Sequence, residues 1–282
     1  MAPSLLARAR ELRLGVDRFL RDRLRKHRLS AICNNGLEPL YTDLSEFVAR
    51  KGKRIRPLLF LITHRALSGG RDAIPISDLV QVAAALELFH AFILVHDDVI
   101  DRSETRRGKP TQNTYFLKTT KYTFECPVVL GAKLAGASEQ AALELRRCTH
   151  PIGIAFQIQN DLIEFQSRHS RDGSKFFLDD LFEGKKTLLL RHAYDRMGRI
   201  DRLFLQTCFD AKRLTDEAIQ RIRQLVVQSG AFRDLQRQVD SLFDEAKQSL
   251  ERSSLSKPQQ RGFQDLIKYL YKITLANNGA PQ

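Results

Sequence analysis

Residues 92–111 read FILVHDDVIDRSETRRGKPT. Asp97, Asp98 and Asp101 fall at spacings of three and four behind an apolar run, which on a helix gathers their carboxylates near one face. They also stand at the C-terminal end of that run, where a helix macrodipole is already negative. Each effect opposes the clustering by a few tenths to about 1 kcal/mol. A bound cation would offset both. Mg²⁺ suits such a set, because it takes oxygen ligands, keeps several waters and shares coordination with substrate phosphates. Arg106 and Arg107 follow directly, and guanidinium groups grip phosphate oxygens with paired donors. Metal-binding acids beside phosphate-binding arginines point to a diphosphate site. The competing reading is a solvated acidic helix end paired with its own arginines.

A second polar set lies in GIAFQIQNDLIEFQ, residues 153–166. Gln157, Asn160, Asp161 and Glu164 repeat at three and four on an otherwise apolar segment, and the last three reproduce the spacing of Asp97, Asp98 and Asp101. Two such patches on two helices could face each other across a cavity and share a small metal cluster. Upstream, RKGKRIRP places Lys51, Lys53, Arg54 and Arg56 just before an apolar helix, where cations are disfavoured unless an anion joins them. Glu87 and His90 sit one turn apart, and a single buried histidine is more often a satisfied core residue than a ligand.

The elements that must position these groups are helices. Apolar residues recur at three- and four-residue spacings over 3–26, 39–49, 54–68, 76–96, 115–135, 138–165, 185–196, 214–227, 229–252 and 257–274. Breaks fall at SGG (68–70), RRGKP (106–110), RDGS (171–174) and SLSKP (254–258). No strand alternation, linker or repeat competes, so a single all-α domain over residues 1–282 is expected. The helix ending at Val95 is apolar nearly all round, which predicts a central, buried position. An antiparallel bundle with a site between its helices would accommodate it.

The chain has 282 residues and a formal charge of +13, an excess that suits nucleic acid, acidic lipid headgroups or a phosphorylated small molecule. Nucleic-acid binding would explain the charge but not the ordered acids, and no finger or RNA-binding signature occurs, so no nucleic-acid partner is expected. The run VAAALELFHAFILV is too short for a membrane span, so no integral membrane segment is expected. Cys33, Cys126, Cys148 and Cys208 lie far apart and read as ordinary thiols of a reducing, cytoplasmic compartment. The Arg-rich N-terminus lacks an apolar signal core and reads as an ordinary first helix.

In order along the chain, these landmarks resemble the trans-isoprenyl diphosphate synthases. GKRIRP is similar to that family's homoallylic-diphosphate loop, and ALELFHAFILVHDDVIDRSETRRGKPT to the helix of its first Asp-rich motif. KTTKYTFECPVVLGAKLAG resembles its Lys-Thr helix, AFQIQNDLIEF its second Asp-rich motif, and DDLFEGKKTLLL the segment after it. The resemblance implies a bundle of isoprenoid synthase type around a central cavity. It implies Mg²⁺ held by Asp97, Asp98, Asp101, Asn160, Asp161 and Glu164, with Arg106 on an allylic prenyl diphosphate. Lys53, Arg56, His90 and Arg107 would hold isopentenyl diphosphate. Lys118, Thr119 and Gln157 would line the ionisation site, with Lys175 and Lys185 adding positive charge. Phe92, five residues before Asp97, would floor the product pocket in a geranylgeranyl-forming pattern.

This chain also departs from that pattern. Asn160 stands where an aspartate is usual, which lowers the charge offered to a metal, and Glu164 carries its carboxylate on a longer arm. Ser174 and Leu178 stand where glycines are expected. Only residues 108–117 separate Arg107 from Lys118, too few for about two core helices that the family places there, at about 10–14 residues each. The wall of the cavity is therefore expected to have a gap. Three readings stay open: a short-chain (geranylgeranyl or farnesyl) prenyltransferase, a shortened form that no longer turns over, or a partner subunit of another prenyl synthase. A homodimer is equally compatible.

Overall fold

The computed structural model describes residues 5–32, 38–49, 52–69, 74–100, 120–166, 187–210 and 214–275. Among them the regular structure is entirely helical. The chain runs through α1 (Leu5–Ile32), α2 (Glu38–Ala49), α3 (Ile55–Ser68) and α4 (Ile76–Ile100). A π-helical segment, Thr120–Glu125, leads into α5 (Cys126–Leu134) and then α6 (Glu139–Gln166). α7 (Leu188–Arg196), α8 (Arg199–Asp210), α9 (Asp216–Gln228), α10 (Ala231–Glu251) and α11 (Lys257–Leu275) complete it.

The periodicity explains most of these helices directly. In α10, Leu235, Val239, Phe243, Ala246 and Leu250 step by three and four and are fully buried. They pack along α6, whose Leu145, Ile152, Ala155, Ile158 and Leu162 supply the matching stripe. This larger core also takes in α3, α5, α7 and α11. A second core joins Val16, Leu20 and Leu24 of α1 to Phe60 and Leu61 of α3 and to Leu79, Ala83, Ala84 and Ala91 of α4. α3 and α5 approach so closely that a Cβ on Gly131 would lie 2.6 Å from the Phe60 carbonyl oxygen.

Two expectations are corrected. α4 is not buried all round. Leu79, Ala83, Glu87 and Ala91 face the interior, while Phe89 (53% exposed), Phe92 (61%) and Leu94 (39%) stand on an open face. Its Ile76–Leu94 stretch also has the length and apolarity to cross a membrane, contrary to the reading of its shorter apolar run. Yet it carries the ion-paired Glu87 and packs on α1 and α3, as a bundle helix does. The second correction is α8, which the periodicity did not predict. Its apolar residues do not form one stripe: Leu205 and Cys208 are buried, whereas Ile200 and Leu203 are exposed.

Candidate active site

The loop before α3 and the first turn of that helix carry three cations that the fold separates. Arg54, the residue before the helix, adopts a left-handed backbone (φ 49°). That turn sends its guanidinium inward, where Nε donates to Asp17 Oδ1 (2.8 Å), Nη1 to Glu87 Oε1 (2.8 Å) and Nη2 to the Val48 carbonyl (2.6 Å). Arg54 thus ties α1, α2 and α4 together and serves the fold. Lys53 lies with its Nζ 5.2 Å from the centre of the Phe156 ring on α6, and burial pushes its pKa down.

Arg56 points to a different neighbourhood. Its Nη2 donates to Thr123 Oγ1 (2.7 Å), and its guanidinium stacks 4.6 Å from the centre of the Tyr122 ring. Burial lowers its pKa, so a desolvated cation sits here with a neutral hydroxyl and an aromatic face as its neighbours. The His90 ring from α4 lies 6.0 Å from the Tyr122 ring, and Phe89 meets the same ring edge-on at 5.6 Å. Burial first, then Arg56 and Arg54, push the His90 pKa down to about 4, so the imidazole is neutral at ordinary pH. Burial also raises the Tyr122 phenol to about 12.

Arg56 Nε, His90 Nδ1, Tyr122 OH and Thr120 Oγ1 are all buried without a hydrogen-bond partner among the described residues. Such atoms are costly unless something completes them. Arg56 Nε, His90 Nδ1 and Tyr122 OH, gathered around one Tyr122 ring and one buried guanidinium, match the acceptor oxygens of an anion. His90 is therefore not the satisfied core histidine of the competing reading.

The π-helical segment presents Tyr122 and Thr123 to Arg56. Its wide turns are held by two contacts with α6. Thr120 rests on Gly153, where a Cβ would lie 2.7 Å from Thr120 Cγ2. Glu125, 4% exposed, accepts from Arg146 Nε and pairs with His150 Nδ1, each at 2.7 Å. Tyr122, Thr123 and Thr120 are residues that sequence reasoning missed. Helical π-turns leave no periodic signature of their own, and the only signal was their place beside Lys118 and Thr119.

On α6, Gln157 is 4% exposed, and Asn160 and Asp161 are half-buried. Asp161 Oδ2 accepts from the Leu188 backbone N–H (3.1 Å) in the first turn of α7, where Thr187 Oγ1 also caps Leu190 N–H (3.3 Å). The metal set can be tested at two points. α4 runs through Asp97 and Asp98 and ends without a basic residue in its last turn, so its own helix supplies no counter-charge. Asn160 and Asp161 are hard oxygen donors, as Mg²⁺ requires. The donor chemistry fits. The side chains of Asp97, Asp98 and Glu164 lie outside the described residues, and so do the whole of Asp101, Arg106, Arg107, Lys118, Thr119, Lys175 and Lys185. Among the described residues no three His, Cys, Asp or Glu side chains form a metal cluster. Phe92 is described, but on the open face, stacked 6.4 Å from Phe89. A groove of about 620 Å³ lies elsewhere, between α8 and α9, and holds none of the predicted site residues.

Known proteins resemble this chain in sequence and in fold. The short chain isoprenyl diphosphate synthase of Methanocaldococcus jannaschii is 24% identical over 256 residues, covering 67% of this chain and 76% of the relative. That length exceeds what 67% of 282 residues can fill, so the relative carries a stretch with no counterpart here. Over a shorter span of 67 residues, 23% of this chain and 21% of the relative, a farnesyl diphosphate synthase of Geobacillus stearothermophilus is 51% identical. Among solved structures, geranylgeranyl pyrophosphate synthase from Corynebacterium glutamicum, complexed with isoprenyl diphosphate and magnesium, superposes with a TM-score of 0.71 at 21% identity. The match covers 93% of this chain and 98% of that one. A decaprenyl diphosphate synthase from Rhodobacter capsulatus gives 0.70 at 19% identity, covering 96% and 98%. These likenesses establish the all-α isoprenoid synthase fold. The polyprenyl synthetase profile matches residues 38–117 and 112–226, its two segments meeting in the short connection after the first Asp-rich motif. Matched over more than half of its length, the chain belongs to the polyprenyl synthetase family, the trans-isoprenyl diphosphate synthases.

Proposed function

We propose that this chain is a Mg²⁺-dependent prenyltransferase that joins isopentenyl diphosphate to an allylic prenyl diphosphate, acting in the cytoplasm as one domain over residues 1–282. The observation that carries the reading is the set of buried, unpartnered polar atoms of Arg56, His90 and Tyr122 around one desolvated guanidinium. A diphosphate offers acceptors for these groups and a charge for Arg56 and Lys53. His90, held neutral, contributes a hydrogen bond without a full charge. Arg107 completes the grip on isopentenyl diphosphate, and Arg106 that on the allylic partner.

In the reaction the allylic C–O bond breaks and its electron pair leaves with the diphosphate. Lys118, Thr119, Gln157, Lys175 and Lys185 stabilise the developing negative charge. Asp97, Asp98, Asp101, Asn160, Asp161 and Glu164 would hold Mg²⁺, which when bound would supply further charge neutralisation there. The double bond of isopentenyl diphosphate then forms the new C–C bond to the allylic cation. The proton lost from the adduct goes to the released diphosphate. Phe92, with Phe89 stacked beside it, would floor the product pocket once that open face is covered, which would give a short-chain, geranylgeranyl or farnesyl, product.

A second reading is favoured by two observations taken together: Phe89 and Phe92 of α4 are exposed, and the aligned relative carries a stretch with no counterpart here. A chain with an open wall could bind diphosphates without turning over, or serve as a subunit of another synthase. One relative is component 2 of the heptaprenyl diphosphate synthase of Geobacillus stearothermophilus. Purified protein given Mg²⁺, labelled isopentenyl diphosphate and dimethylallyl, geranyl or farnesyl diphosphate in turn separates the readings, with product length resolved by chromatography. Product with at least one allylic substrate, abolished by Asp97→Ala, supports the enzyme. No product with any of them overturns the stand-alone reading.

A further inference from the structure

We propose that the outer face of α1 is a docking surface for an anionic lipid bilayer, an inference independent of the catalytic reading. Arg10, Leu14, Arg18, Arg21 and Arg25 step along the helix by four, four, three and four, and all are exposed. The opposite face, Ala9, Val16, Leu20 and Leu24, is buried in the bundle, so packing fixes the stripe outward. At 1.5 Å per residue the stripe runs for about 22 Å.

Two features separate this face from an ordinary solvated helix. The first is charge. From Arg10 to Lys26 the helix carries seven Arg or Lys against Glu11, Asp17 and Asp22. Asp17, half-buried at the edge of the stripe, is held by Arg54 Nε at 2.8 Å, so its charge is compensated inside the protein, and Glu11 and Asp22, exposed beside the stripe, are the acids that reduce its excess. Arg10, Arg18 and Arg25 enter no ion pair among the described residues, while Arg21 Nε donates to the Asp17 carbonyl at 3.2 Å. The second is Leu14, 47% exposed in the middle of the arginines. A basic helix face with an apolar residue among its cations suits phosphate headgroups above an acyl layer. A single-stranded nucleic acid would instead want aromatic faces for stacking, and Phe19, the helix's one described aromatic, is turned toward the core.

Sedimentation of the full chain with phosphatidylcholine vesicles, with and without phosphatidylglycerol, tests this. Binding is expected only with the anionic lipid and should weaken as salt is raised. Each arginine contributes roughly a fivefold gain in partition, so Arg18→Gln, Arg21→Gln and Arg25→Gln together should lower it by roughly 100-fold. An unchanged far-UV spectrum and thermal melt would show that the triple variant still folds. Leu14→Gln should weaken binding a further few-fold, with the salt dependence retained. Equal binding to neutral vesicles, no binding to anionic vesicles at low salt, or a triple variant that binds like the parent would each overturn the proposal. So would tighter binding to duplex DNA than to the anionic vesicles.

Discussion

Arg54 and Arg56 stand two residues apart, and the structure gives them opposite tasks that mutation can separate. Replacing Arg54 by Met leaves the Glu87 carboxylate without its 2.8 Å partner. The Glu87 side chain is only 8% exposed, and its Oε2 already lacks a partner. An uncompensated buried charge of this kind costs about 3–5 kcal/mol. For a chain of this size that corresponds to a drop of about 6–20 °C in the thermal midpoint. Adding Glu87→Leu should recover most of the loss, since the pair is then replaced by apolar contact. Affinity of the folded variant for inorganic pyrophosphate should change less than about threefold, because Arg54 turns away from Tyr122. Arg56→Met should do the reverse. Its cation is desolvated and its closest polar partner is neutral, so the midpoint should stay within about 2 °C or rise. Pyrophosphate affinity should fall by about 10–150-fold, the equivalent of a charge-assisted hydrogen bond at about 1.5–3 kcal/mol. Differential scanning fluorimetry and isothermal titration on the same samples measure both quantities. If Arg54→Met melts within about 2 °C of the parent, or if both variants lose the same property, the division of labour is wrong.

The remaining predictions concern the groups around that guanidinium. His90 sits near pKa 4 in the folded protein against about 6.5 unfolded, so its contribution to stability is present above pH 6.5 and is lost as pH falls towards 4. Bound pyrophosphate should offset Arg56 and raise that value, seen as an upfield-to-downfield shift of its imidazole titration by NMR, with His90→Gln for assignment; an unmoved midpoint counts against the anion site. Gly131→Ala should destabilise by about 1–3 kcal/mol in urea melts, because the backbone oxygen 2.6 Å from the new Cβ cannot yield as a side chain would. Gly153→Ala presses on Thr120 and should both destabilise and weaken pyrophosphate binding by displacing Tyr122, whereas a purely structural role would spare the binding. Asp161→Ala removes the acceptor of Leu188 N–H and should cost about 1 kcal/mol even without metal, measured by chemical unfolding in EDTA.

Much of the architecture was legible in the sequence because helical periodicity is a local property of a few consecutive turns. The stripes of α6 and α10 are readable without knowing their partners. The two polar patches are nameable from their spacing alone, but the side chains of Asp97, Asp98 and Glu164 and the whole of Asp101 lie outside the described residues. α8 was not legible, because its apolar residues are divided between a buried and an exposed side that only its neighbours define. The all-round burial expected of α4 failed for the same reason: apolarity all round says that a helix can be buried, not which of its sides the neighbours cover.

What the sequence by itself determined is most of the helices, the family and the chemical types near residues 53–56, 87–101 and 157–164. The tertiary structure decided which of three neighbouring cations is tied to acids of the fold and which is left beside neutral groups. Arg54 finds its acids 37 and 33 residues away, and Arg56 finds Thr123 at a distance of 67. Ion pairing and desolvation depend on separations of a few ångströms, and across such intervals of chain those separations are set by how helices pack.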